Sequence, residues 1–309
     1  MTTKSFGQSR DFIGYADDPP FADWPGEARI AVNFCLNYEE GGERSILEGD
    51  GQSETRISDV TVDAKIDGRE LNIEHSYEYG ARVGYWRILR AFTDRGMKGT
   101  VNLVGRAGEH NPLALKALIE AGFDLHPHGW RWIDYSTLTI EEERAYIARS
   151  IAQIEALTGE KPLGYYAGLP SVNTIPLVLE HENFLYTSDV YNDDLPYWSP
   201  DHPGLLMVPY SLDTNDSRFA RDGGGYVLGE EFFTYFKDSF DILYREGAER
   251  PKMLTVGLHA RLLGRPGRIG ALHRIFDYVL SHDHVWITRR DDIARHWAVT
   301  HPDPRIQGA

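Results

Sequence analysis

The stretch Arg29-Ile30-Ala31-Val32-Asn33-Phe34-Cys35-Leu36-Asn37 reads as a buried strand, and Tyr38-Glu39-Glu40-Gly41-Gly42-Glu43 follows it directly. Working outward, the same pattern recurs. Strand patterns cover 100–104, 123–128, 163–167, 184–187, 205–209, 253–259 and 285–288. Helical spacing covers 77–95, 112–121, 139–157, about 174–182, 229–246, 269–280 and 291–298. Pro112 opens one helix and Gly122 follows its end. Thr139 with Glu142 three residues on forms a capping box for the next. In the helix 229–246, Phe232, Phe233, Phe236, Phe240 and Leu243 are expected to face inward. Strand and helix alternate, which predicts an α/β protein with a parallel sheet under helices. No linker interrupts the alternation, so residues 1–309 are expected to form one domain, a closed or nearly closed barrel. Residues 1–28 carry Pro19, Pro20 and Pro25 and read as an irregular arm, and the polar stretch 38–72 reads as a long loop.

In such barrels the chemistry sits at the C-terminal ends of the strands. The first strand ends in Glu39, Glu40 and Glu43. The third ends in His126-Pro127-His128-Gly129-Trp130-Arg131-Trp132. Ser188-Asp189 and Asp193-Asp194 follow the strand at Tyr186, and His259-Ala260-Arg261 ends the strand that starts at Met253. Taken singly, each has a plain structural reading: solvated acids, a core histidine, an arginine paired on the surface. Their joint placement at one rim gives weight to Glu39, His128 and His259. Hydrolysis of an amide or ureide needs water deprotonated or polarised, an oxyanion stabilised and the leaving nitrogen protonated. One carboxylate and two imidazoles can divide those tasks.

The formal net charge is −15 and no run of Lys and Arg appears. That argues against nucleic acid and anionic membranes as partners, and for a small neutral or weakly acidic substrate. No apolar run approaches a membrane span, and residues 1–10 have no apolar signal core, so a cytoplasmic location is the expectation. Cys35 is the single cysteine, which excludes an intrachain disulfide and a thiolate-rich zinc site.

Four runs carry a resemblance: Asn37 to Arg44, His128 to Tyr135, Asp193-Asp194-Leu195-Pro196-Tyr197-Trp198, and Gly257 to Arg261. Together with Tyr77 to Arg82 and 290–302, they resemble the allantoinase branch of the polysaccharide deacetylase-like superfamily, related to cyclic imidases. The resemblance implies a distorted (β/α) barrel of the polysaccharide deacetylase (NodB-like) type. It also implies a homotetrameric amidohydrolase of urate catabolism that opens a cyclic ureide or imide ring without a metal. Glu39 is expected as general base, His128 as orienter of water or polariser of the carbonyl, and His259 as proton donor to the leaving nitrogen. Glu40, Arg131, Trp132, Leu169, Asp193 and Trp198 are expected around the substrate, with Asp193 holding His259 or a substrate N–H.

Metal-dependent members carry two aspartates where this chain has Glu39 and Glu40, and a His-x-x-x-His pair where it has His128 and Trp132. An indole offers only an N–H and cannot ligate a metal. The alternative is a zinc site of Glu40, His126 and His128, since His126 and His128 stand two apart on one strand. Two further positions depart from the allantoinase pattern: Leu169 stands where an arginine is expected, and Thr187 where an aspartate is expected. Rival readings are a metal-dependent N-deacetylase, a cyclic imidase, and a ligand-binding relative without catalysis.

Overall fold

The computed structural model describes residues 9–60, 68–221 and 224–306. Five strands form one all-parallel sheet: β1 (Ile30–Tyr38), β2 (Thr100–Leu103), β3 (Asp124–Pro127), β8 (Lys252–His259) and β9 (Val285–Ile287), the strands between them in sequence being given below. The order is β3-β2-β1-β8, and β9 pairs with the first residues of β1. All nine residues of β1 are buried, as a strand central to a helix-covered sheet requires. A second sheet has the order β4-β5-β7-β6, from Gly164–Tyr165, Tyr186–Thr187, Leu206–Met207 and Tyr197–Trp198.

The expected barrel is distorted, its strands divided between these two sheets. They are joined by single bonds rather than ladders, Tyr166 N–H to Pro127 O at 3.1 Å and Met253 N–H to Asp194 O at 3.1 Å. The strands of the second sheet are only two residues long. Pro209 lacks the N–H that would extend β7. What ties the sheets together is Arg290, a fully buried side chain at the start of the helix Arg290–Thr300. Its Nε donates to Ser188 Oγ at 2.9 Å, and Nη1 to Thr255 Oγ1 at 2.9 Å and Asn33 Oδ1 at 3.4 Å. Its Nη2 donates to Pro209 O at 2.9 Å and to Val208 O. All five N–H groups of the guanidinium are thereby matched, which is what burial of that group demands.

The helices stand close to their expected places. The capping box at Thr139 is formed, with Glu142 N–H on Thr139 Oγ1 at 3.2 Å and Thr139 N–H on Glu142 Oε2 at 2.9 Å. In Gly229–Glu246, Phe232, Phe236 and Phe240 are buried, whereas Phe233 and Leu243 are half-buried at the margin. One helix begins earlier than its spacing indicates, at Leu71 rather than Tyr77. Only Ile73, Ser76 and Tyr77 of that first segment are buried, so it lacks the apolar stripe that periodicity detects. Cys35 is buried and burial pushes its thiol up to about 11, which suits a packed hydrophobe. Residues 1–8 of the arm and 61–67 of the long polar stretch lie outside the described residues; the rest of the arm includes the buried Trp24, whose Nε1 donates to Lys252 O at 2.9 Å.

Gly80–Gly84 forms a π turn that continues into the helix Tyr85–Thr93. There it crosses Ala260–Leu263, the short helix after β8. A Cβ on Gly84 would collide with Ala260 O, and one on Gly80 would sit 2.6 Å from Glu40 Oε1. The two glycines let the turn press the ends of β1 and β8 together. Gly84→Ala should therefore lower the unfolding free energy by ~1–3 kcal/mol. Urea denaturation measures this, and an unchanged midpoint would mean the crossing is loose.

Candidate active site

β1, β3 and β8 end at the same rim, and there Glu39, His128 and His259 meet. They expose 1%, 2% and 4% of their surfaces, so the cluster is nearly dry. His128 Nε2 lies 3.2 Å and His259 Nε2 3.4 Å from the same oxygen, Glu39 Oε1. The other oxygen, Oε2, accepts from Arg261 Nη2 at 2.6 Å. Burial alone would raise the Glu39 carboxyl. The Arg261 guanidinium, His259 and hydrogen bonds from both imidazoles outweigh burial and hold it well below the usual carboxylate range.

Glu40 turns the other way. Its Oε1 accepts from Arg261 N–H at 3.1 Å and Nη1 at 3.3 Å, and its Oε2 from Glu39 N–H at 3.2 Å. Burial first, and Glu39 after it, push Glu40 upward despite Arg261. The adjacent carboxylates thus move in opposite directions although Arg261 pulls both down, because only at Glu39 do the imidazoles add enough to outweigh burial. Arg261 has no exposed surface. Its Nε donates to Ile57 O at 2.7 Å, and its guanidinium lies 4.3 Å from the Tyr77 ring centre and 5.6 Å from that of Trp132.

Asp216 holds His259. Its Oδ1 accepts from Nδ1 at 2.6 Å and its Oδ2 from the backbone N–H of His259 at 2.7 Å. Burial works against the imidazolium, but Glu39 and Asp216 raise the His259 pKa to about 9. Gly257 makes this possible. Its N–H donates to Thr214 O at 3.0 Å, and a Cβ there would strike the Asn215 side chain. A glycine inside a strand marks such close backbone approach, which is the one sequence signal that pointed to Asp216.

His128 is held differently. Its Nδ1 lies 2.8 Å from Tyr166 O, and its ring stacks on Tyr166 at 4.9 Å and 3°. A carbonyl only accepts, so Nδ1 carries a proton. Nε2 is therefore the nitrogen turned to Glu39, at 3.2 Å.

Several expected substrate contacts lie elsewhere. Arg131 is turned into the loop after β1, donating to Gly42 O at 3.2 Å, Glu43 O at 2.8 Å and Asp50. Asp193 does not reach His259; its Oδ1 accepts Leu195 N–H at 3.0 Å. Trp198 donates to His301 O at 2.7 Å. Asp193 and Trp198 both border a groove of about 890 Å³ beside the arm residues 9–19. Leu169 O accepts Tyr135 N–H at 3.1 Å, one residue beyond Gly168, which touches His128. Trp132 is buried against Arg261. Arg261 and Asp216 are the two groups that the sequence reading gave no role.

The zinc alternative does not fit these side chains. Both oxygens of Glu40 are hydrogen-bonded within the protein. His126 points into the barrel, with Nδ1 3.0 Å from Asn102 Oδ1 and its ring stacked on Tyr186 at 5.2 Å. Among the described residues, no three His, Cys, Asp or Glu side chains are placed to hold a metal.

Fold and site together define a (β/α) barrel hydrolase with a carboxylate and two imidazoles at its strand ends. The polysaccharide deacetylase family model matches residues 67–174. A protein of Schizosaccharomyces pombe named as a polysaccharide deacetylase is 39% identical over 96% of this chain and 98% of its own. The crystal structure of PuuE allantoinase is 49% identical, covers 95% of this chain and 98% of its own, and superposes with a TM-score of 0.92. A Pseudomonas aeruginosa structure, also named as a polysaccharide deacetylase, is 49% identical over 95% and 99%, with a TM-score of 0.91. The chain belongs to the polysaccharide deacetylase family, and with it to the hydrolases that act on carbon–nitrogen bonds. No helix among the described residues is long and apolar enough to cross a membrane.

The raised His259 pKa has a consequence for stability. The unfolded value is 6.5, so this contribution is complete below about pH 6.5 and is lost as pH rises through about 9. Denaturation midpoints should fall across that window in the wild type and stay flatter in Asp216→Asn. An equal fall in both would remove Asp216 as the cause.

Proposed function

We propose that this protein opens a cyclic ureide or imide ring by hydrolysing a ring carbon–nitrogen bond, and that it does so without a metal. The observation that carries the reading is His259, protonated up to about pH 9, with its Nε2 3.4 Å from the ionised Glu39. An acid and a base thus meet at one point in a dry site. A substrate and water entering there part Glu39 Oε1 from the imidazoles while Arg261 keeps Oε2. Losing those two hydrogen bonds restores basicity to Glu39, which takes the proton of the attacking water. His128, held at Nδ1 by Tyr166 O, turns Nε2 to the carbonyl oxygen and stabilises the oxyanion. His259 protonates the departing nitrogen, and the proton on Glu39 then passes to His259 to reset the pair.

The small exposure of all three groups favours a compact substrate over a polymer. The likeness to PuuE allantoinase supports a ring of the allantoin kind. A homotetramer working in the cytoplasm is part of the same proposal. The discriminating experiment is a panel of allantoin, hydantoin, succinimide and dihydrouracil against N-acetyl sugars. Ring opening is expected, and turnover of N-acetyl compounds alone would overturn the reading.

Glu39→Gln should lower kcat by ~10²–10⁴. Near-normal turnover in that variant would remove Glu39 as the base. Elemental analysis of active protein, with turnover assayed in chelator, is expected to find full activity without stoichiometric metal. Activity lost to the chelator and restored by zinc would replace the metal-free route.

A further inference from the structure

The mechanism leaves one carboxylate beside the site unused. Asp189 follows β5 and faces the segment Tyr166-Ala167-Gly168 that leaves β4. Its Oδ2 accepts the N–H of Ala167 at 2.8 Å, and its Oδ1 that of Gly168 at 2.8 Å. It has no cationic partner at salt-bridge distance among the described residues. The segment it grips is the seat of His128. Tyr166 O takes the Nδ1 proton, the Tyr166 ring stacks under the imidazole, and Gly168 closes on its edge. Gly168 sits at φ +74°, and a Cβ there would come within 2.6 Å of His128 Cε1. The left-handed turn is therefore needed twice, for its backbone shape and for the missing side chain.

We propose that Asp189 is the positioning residue for His128, fixing through the two amides the carbonyl that dictates which imidazole nitrogen points at Glu39. The inference rests on the reading that His128 takes part in hydrolysis. An asparagine could accept only one of the two N–H groups and would turn its own NH₂ against the other. The turn would then rotate and carry Tyr166 O away from Nδ1. Burial pushes Asp189 up to about 6, against the pull of the two amides and His128. The other titratable groups facing it are the tyrosines Tyr165, Tyr166 and Tyr191.

The test is Asp189→Asn, read first by NMR on histidine-labelled protein without substrate. In the wild type, the Nδ1–H of His128 should appear as a downfield resonance protected from exchange, assigned by its absence in His128→Gln. In Asp189→Asn it should exchange with water and vanish, while kcat falls ~10²-fold and KM stays within a few-fold. Asp189→Glu, which keeps two acceptor oxygens, should recover part of both signals and serves as the second variant if the asparagine form does not fold. An unchanged resonance and kcat in a folded variant, or a lowered melting temperature alone, would overturn the proposal. Because the resonance needs no substrate, it tests Asp189 even if the ring-opening reading fails.

Discussion

The site depends on one buried guanidinium between two adjacent carboxylates. Removing Glu39 and Glu40 from water is costly, and Coulomb attraction offsets that cost only where the remaining hydrogen bonds are met. Arg261 reaches both carboxylates with its backbone N–H and both Nη groups, while its own Nε is met by Ile57 O. The aromatic faces of Tyr77 and Trp132 cover it, a good environment for a weakly hydrated cation. The surroundings follow from this ion cluster. Gly80 must lack a side chain to admit Glu40. Ile57 is held at φ +45°, a strained conformation for a β-branched residue, with its carbonyl on Arg261 Nε. The resting Glu39 is a weak base because the same arginine and two imidazoles hold its charge.

This arrangement also gives physical meaning to Trp132. A histidine at that position would offer a lone pair facing a permanent cation. An indole instead lays its π face near the guanidinium and its apolar bulk over the cluster. The departure from the metal-binding pattern and the presence of Arg261 are thus two sides of one local electrostatic solution. Fixed charge is present at the end of β1 before any ligand arrives.

Much of this was legible in the sequence, for identifiable reasons. β1, β2, β3, β8 and the long helices have strong periodic patterns, and Thr139 with Glu142 states its own cap. Glu39, His128 and His259 were legible because each closes a strand, and strand ends in such barrels share a rim. Arg131, Asp193 and Trp198, which the resemblance put around the substrate, turn to other partners. Proximity to the rim does not say which way a long side chain turns, and Arg131 finds Asp50 and two carbonyls in the loop instead. Asp216 belongs to no strand end, and its place depends on Gly257 letting a distant loop approach β8. The second sheet was overextended because two-residue strands leave little periodicity, and the arginine that unites the sheets comes from a helix some hundred residues away in sequence.

The two histidines illustrate how partners at the non-reacting nitrogen assign different work to the same side chain. His259 gives its Nδ1 proton to a carboxylate, which lowers the energy of the doubly protonated ring and suits an acid. His128 gives its Nδ1 proton to a neutral carbonyl, which fixes orientation while adding little charge stabilisation. The two rings thus differ in what backs the nitrogen turned away from Glu39. This asymmetry is set by the segments after β4 and after β7, outside the strand-end motifs themselves. Substitutions in those two segments can retune the division of labour without touching Glu39, His128 or His259.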